Sequence, residues 1–513
     1  MIAKILMLVI FFGVMIGIGL YCRKHATDVN GFVLGGRSVG PWLTAFAYGT
    51  SYFSAVVFIG YAGQFGWKYG IAASWIGLGN ALIGSFLAWA VLGRRTRVMS
   101  QHLDSATMPE FFGKRFDSPA LKVFASLIVF VFLIPYTASL YNGLSRLFGM
   151  AFSIDFKLCI IIMAVLTGIY VIAGGYMATA INDFIQGCVM LVGIVAVIAA
   201  VLKMNGGLFS ALDGLARVED ASVSTTPGVF NSFLGPDPLN LLGVVILTSL
   251  GTWGLPQMVQ KFYAIKNENQ IRKGAVISTF FALIVSGGCY FLGGFGRLFS
   301  DQIDIVTDGY DAIIPTMLSG LPDLLIGLVV ILVLSASMST LSSLVIASSS
   351  TLTIDVIKGH IVKEMDEKKQ LLCIRVLIVV FIAISVVIAI VQYTSNVTFI
   401  AQLMGVSWGA LAGAFLAPFL YGLYWKKTTR LSVWVCFIFG AGVMTLNLFA
   451  PGVFPMWLQS PINCGAFAMI AGLIIVPVVS LLSKKQDEAQ LAQIFSCYEK
   501  KTQVRRAESL GDD

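Results

Sequence analysis

The chain has 513 residues, of which 57% are hydrophobic and 12% charged, and its mean hydropathy is +0.87. A soluble domain carries about 25% charged residues, so the composition excludes one and leaves a polytopic membrane protein. Its 34 Lys and Arg against 26 Asp and Glu put the pI near 9.0; no basic stripe is interleaved with exposed aromatics, so the charge reads as loops facing anionic lipid, and no nucleic-acid partner is expected.

Apolar runs of bilayer length fall at about 2–22, 41–66, 70–93, 120–148, 155–173, 182–202, 238–260, 274–297, 315–346, 372–393, 397–424, 431–450 and 461–483, which predicts about thirteen spans. The first has Lys4 before it and Arg23 and Lys24 after it but no small-residue cleavage site, so it reads as a retained helix. An amino terminus outside puts most basic residues on the cytoplasmic side, among them Arg37, Arg94, Arg95, Arg97, Lys261, Lys266, Lys358, Lys363, Lys426 and Lys427. Eight scattered cysteines form no CxxC, and His25, His102 and His360 fall in predicted loops, so neither a disulfide framework nor an intramembrane metal centre is implied. The outer loops at 213–237 and 301–311 are acidic and too short to be domains. The tail from 484 to 513 is polar, with disorder expected at its end.

Two spans are interrupted. The second contains YGTSYFSAVVFIGYAGQFG, and the seventh contains SLGTWGLPQM, where Pro256 deletes a backbone donor and Gly251 and Gly254 weaken the helix. Because five spans separate their starts, they enter from opposite sides, so spans two to six and seven to eleven form two units of inverted topology. Broken helices at matching positions of inverted repeats point to a midplane site in a secondary transporter.

The ninth span carries SASMSTLSSLVIASSST at 335–351, ten hydroxyls and no charge. Such residues let helices approach closely, each hydroxyl bonding the carbonyl one turn back. They are also, with freed carbonyls, the hard oxygen ligands that a dehydrated alkali cation accepts. Ala336, Ser339, Thr340 and Ser343 share one helical face.

From about residue 28 to 427 the chain resembles the sodium:solute symporter family, which includes bacterial proline and pantothenate symporters and sodium/sugar cotransporters. FVLGGRSVGPWLTAFAYGTS, SATMPEFFGKRF, AGGYMATAINDFIQG, LGTWGLPQ, SMSTLSS and LYWKKTTR carry the resemblance by their order and spacing. It implies an all-α LeuT-type five-plus-five inverted repeat with a leading helix and two trailing ones. The corresponding divisions are a leading helix and loop (1–40), a first repeat (41–202), an outer loop (203–237), a second repeat (238–427), trailing helices (428–483) and a cytoplasmic tail (484–513). The implied activity is sodium-driven uptake of a small organic solute across the cytoplasmic membrane.

Carried over by position, the family's common sodium site falls on the hydroxyls of Ser339 and Thr340, the carbonyl of Ala336 and the carbonyls of Thr50 and Phe53. The second sodium of some members falls on Asp183, Ser342 and Ser343; Asp183 also reads as a helix-start residue. The implied solute residues are Ser51, Ser54, Tyr136, Thr252, Trp253 and Gln402. Gln402 also reads as a packing amide and Trp253 as core. Tyr52 stands where proline symporters carry a carboxylate, and Val56, Thr248 and Thr252 where they carry aromatics, departures that argue against proline. Arg37 reads as a membrane anchor or an inner gate. Proton coupling through Asp183 and a transporter-like solute sensor are the alternatives.

Overall fold

The computed structural model describes residues 2–23, 26–152, 155–362, 364–395 and 400–498. Lys24, His25, Lys363 and the end of the tail, with its expected disorder, lie outside them. Among the described residues the chain is helical, with no β-strand. Ten helices are long and apolar enough to cross a membrane, or eleven when the bent pair Pro238–Trp253 and Pro256–Ala264 is taken as one span.

Two of the ten are too long for one crossing. Phe156–Met204 has 49 residues, about 74 Å at 1.5 Å per residue, more than twice the hydrocarbon core. It turns at Gly175, φ 56° and ψ −154°. The other, Val56–His102, turns at Gly70, φ 60° and ψ −140°, a region closed to side chains. A Cβ at Gly70 would also stand 2.0 Å from the Phe230 carbonyl oxygen. Gly175 lies between two runs that the hydropathy separates, and Gly70 at the first residue of the third run.

The helices that carry the argument are α1 (Ile2–Cys22), α2 (Pro41–Tyr52), α3 (Ala62–Tyr69), α4 (Pro119–Phe152), α5 (Phe156–Met204), α6 (Pro238–Leu250), α7 (Pro256–Ala264), α8 (Ile271–Gly293), α9 (Asp323–Thr351), α10 (Glu367–Ser395), α11 (Ile400–Tyr424), α12 (Arg430–Phe449) and α13 (Pro461–Leu482). The ninth span starts at Asp323 rather than near 315, because Ile313–Ser319 is a separate short helix followed by Gly320 and Pro322. Every residue of α9 from Val329 to Thr351 is buried. A helix without a lipid face belongs to the core, and α9 packs on α1, α2, α4 and α5. The trailing α12 and α13 cover α11.

The two interruptions face each other. α2 stops at Tyr52, Phe53 is extended at φ −102° and ψ 131°, and the chain rewinds through a wide π turn, Val56–Tyr61, into α3. α6 passes through the tight turn Gly251–Trp253 before Pro256 opens α7, bent by 41°. Tyr52 donates its hydroxyl to the Thr248 carbonyl at 2.9 Å, and Thr248 and Ser249 donate to Asn80 Oδ1 at 2.9 and 3.1 Å.

One end of the bundle is strapped shut. Lys266 N–H donates to the Val39 carbonyl at 2.9 Å and Val39 N–H to the Ala264 carbonyl at 3.3 Å, joining the entrance of α2 to the exit of α7. Arg37 reinforces this junction through Ser100 Oγ, the Tyr263 carbonyl and the Ser105 carbonyl at 3.3, 3.3 and 2.6 Å. Its guanidinium thus serves protein contacts beyond any anchoring. On the side of the 205–237 loop, a cavity of about 730 Å³ opens between Gln64, Lys68, Asp220, Arg297, Gln402 and Trp457.

Candidate functional site

The break in α2 ends beside the middle of α9. Thr340 Oγ1 lies 3.0 Å from the Ala336 carbonyl oxygen, 3.2 Å from that of Phe53 and 3.4 Å from that of Thr50. A hydroxyl has one proton, so three carbonyl oxygens converge where only one can receive it. That surplus of acceptors is created by the extended residue Phe53, which stops the helix ladder from using the carbonyls before it. Ser339 Oγ closes the group, donating to Thr50 Oγ1 at 2.7 Å, while Thr50 Oγ1 donates to the Phe46 carbonyl at 2.7 Å. The structure therefore brings Thr50, Phe53, Ala336, Ser339 and Thr340 together in one buried cluster. Hard neutral oxygens in surplus suit an alkali cation better than a transition metal.

The other hydroxyls of α9 divide by depth. Ser337 Oγ accepts from Ala55 N–H at 3.1 Å, serving a donor at the same break. Ser349 and Ser350 bond back to Val345 and Ile346 carbonyls. Packing accounts for that end of the run, whereas the hydroxyls of Ser339 and Thr340 reach across to Thr50 and Phe53.

A second cluster adjoins the first. Ser342 Oγ donates to the Ser339 carbonyl at 2.8 Å, and Ser343 Oγ meets Ser51 Oγ at 2.9 Å. Asp183, 1% exposed, stands on α5 with its carboxylate turned toward Ser339 and Lys261, neither oxygen making a well-formed hydrogen bond. Between them lies a residue that the sequence places in a cytoplasmic loop: Lys261 is 1% exposed, its Nζ 2.9 Å from Ser343 Oγ and 4.0 Å from Asp183 Oδ2. Pro256 opens a further helix here, and α7 carries the lysine inside the bundle rather than out of it. The signal was available as a lysine five residues after a helix-opening proline in an interrupted span.

The six solute residues inferred from the resemblance separate. Ser54 and Tyr136 remain together: the Tyr136 hydroxyl faces Ser54, Trp408 and Thr340 without a well-formed hydrogen bond to any of them, and the ring packs edge-on against Trp408 at 5.9 Å, with Tyr52 on the same indole at 5.9 Å. Trp408 Nε1, Tyr290 Oη and Tyr61 Oη are likewise buried without partners. Ser51 belongs instead to the Ser343 pair. Thr252 Oγ1 donates within hydrogen-bond distance of the Gly84 and Ser249 carbonyls, and Trp253 Nε1 donates to the Ile83 carbonyl at 3.0 Å, so both hold α6 to its neighbour. Gln402 lines the outer cavity. Sequence reasoning missed Trp408 because an indole in an apolar run looks like core; only its unpartnered N–H beside Tyr136 distinguishes it.

The model of the sodium:solute symporter family matches residues 32–440. A sodium/proline symporter of Staphylococcus aureus (strain JH9) is 30% identical over 94% of this chain and 93% of its own. The osmoregulated proline transporter OpuE of Bacillus subtilis (strain 168) is 27% identical over 97% of this chain and 98% of its own. Among solved structures, the substrate-bound outward-open state of a Na+-coupled sialic acid symporter superposes with a TM-score of 0.72, covering 95% of this chain and 99% of that one at 16% identity. That likeness establishes the LeuT-type architecture.

Proposed function

The chain belongs to the sodium:solute symporter family and couples sodium to the uptake of a small solute, and from that premise we propose which of its residues do so. The coupling ion binds at the α2 break, held by the carbonyls of Thr50, Phe53 and Ala336 and the hydroxyls of Ser339 and Thr340. The observation that carries this reading is the convergence of three carbonyl oxygens on the single proton of Thr340. A cation there joins α2 to α9 and orders the break. Ser54, Tyr136 and Trp408, at the same break and adjoining Thr340, form the polar part of the solute pocket, with aromatic walls from Tyr52, Tyr61 and Tyr290. Gln402 meets the solute in the outer cavity before it reaches them. Because ion and solute share one broken helix, each raises the affinity for the other equally. Cargo is a small organic solute, and the setting is a cytoplasmic membrane, as for a bacterial symporter.

Thermal stabilisation of the purified protein tests this. Sodium chloride should raise the midpoint over choline chloride, reflecting a stabilisation of about 2.7 kcal/mol at a hundredfold excess over Kd. One member of a panel of amino acids including proline, monocarboxylates, pantothenate-like acids and sugars should add to it only with sodium present. Stabilisation by a solute that is equal with and without sodium contradicts the shared break.

A further inference from the structure

Asp183, Ser342 and Ser343 have the composition of a second cation site, but the site already has a cation attached to the chain. Lys261 Nζ donates to Ser343 Oγ at 2.9 Å, stands 4.0 Å from Asp183 Oδ2, and lies 5.0 Å above the centre of the Tyr176 ring. Both side chains of the ion pair are 1% exposed. An ammonium this deep is costly unless a carboxylate, a hydroxyl and an aromatic face compensate it, and all three are present.

We propose that the Lys261 ammonium takes the part of a second sodium ion, so that this chain binds a single sodium, at the α2 break. The inference rests on that first site being a sodium site. A sodium ion set among Asp183, Ser342 and Ser343 would share one carboxylate with the ammonium beside it, two cations against one anion in a medium that screens poorly. Serine hydroxyls carry no charge to correct the balance. The attached cation also reaches four elements at once: α7 through its own backbone, α9 through Ser343, α5 through Asp183 and Tyr176, and α2 through the Ser343–Ser51 contact. A sodium ion would hold them only while bound. Lysine holds them throughout the cycle and leaves the thermodynamic drive to one ion.

Equilibrium binding of radioactive sodium to the purified full-length protein in lipid nanodiscs, counted per chain without solute, tests the assignment. Wild type should saturate at one ion, and so should Lys261→Arg. Asp183→Asn should keep that one ion. Lys261→Gln, which leaves the carboxylate without its ammonium, should admit a second. A wild-type count of two overturns the proposal, as does loss of an ion in Asp183→Asn or a count of one in Lys261→Gln. Should Lys261→Gln fail to fold, the wild-type and Asp183→Asn counts decide alone. Binding that survives Ser339→Ala with Thr340→Ala would instead reject the break site, a failure separate from that of the lysine.

Discussion

Thr340 is the residue on which the proposed ion site turns, because its hydroxyl meets the Thr50 carbonyl of α2, that of Phe53 just after it and that of Ala336 on α9. Thr340→Ala with Ser339→Ala removes both hydroxyl ligands and should weaken sodium affinity at least about tenfold, roughly 1.4 kcal/mol. Sodium titration of thermal stability checks it, and each single change should cost less. The solute pocket gives a second expectation. Tyr136→Phe deletes a buried hydroxyl that has no well-formed hydrogen bond but faces Ser54, Trp408 and Thr340, so folding should be unharmed while apparent solute affinity falls by more than the sodium affinity measured in the absence of solute. Equal solute affinity in uptake assays would move the pocket elsewhere. What was legible in the sequence at this scale followed chemistry that repeats along a helix: the hydroxyls of Ser339 and Thr340, on one face with Ala336, stand out in an apolar run, and the structure brings that face against Thr50 and Phe53. Lys261 and Trp408 were not, since a lysine near a predicted span end looks cytoplasmic and an indole among apolar residues looks packed. Only the fold brings one to Asp183 and the other to Tyr136.

At the scale of elements, the breaks were readable and the turns between helices only partly so. Gly251, Gly254 and Pro256 announce the second interruption, whereas the first has no proline; glycine and polar residues marked that span as interrupted without locating its end at Tyr52. The start of α9 falls later than the hydropathy predicts because Ile313–Ser319 is itself largely apolar and hydropathy does not register a change of direction. Gly70 makes a test of such a turn. With φ 60° and ψ −140°, and the Phe230 carbonyl oxygen 2.0 Å from where a Cβ would stand, Gly70→Ala carries a backbone penalty of about 1–3 kcal/mol before the clash is relieved. A clear fall in thermal midpoint and in the monodisperse fraction on gel filtration is expected; an unchanged midpoint would mean that the loop after α3 gives way at little cost.

For the whole molecule, the strap between Val39 and Lys266, with Arg37 across it, closes one end, while the cavity beside Gln402 opens the other. The proposed ion cluster and solute pocket lie between these ends, at one interrupted helix, which is the geometry alternating access requires. Inverted topology was legible because the two breaks are five spans apart; the strap was not, since it pairs residues more than two hundred positions apart with no motif in common. The central claim is that sodium bound at the α2 break drives the solute. It is tested most directly in proteoliposomes, by following accumulation of the solute that stabilises the protein under an inward sodium gradient, and under an inward proton gradient in sodium-free choline buffer. The account predicts concentrative uptake with sodium, its loss when the sodium gradient is collapsed or Thr340 and Ser339 are replaced by alanine, and none with protons alone. Accumulation driven by the proton gradient in the absence of sodium would contradict it.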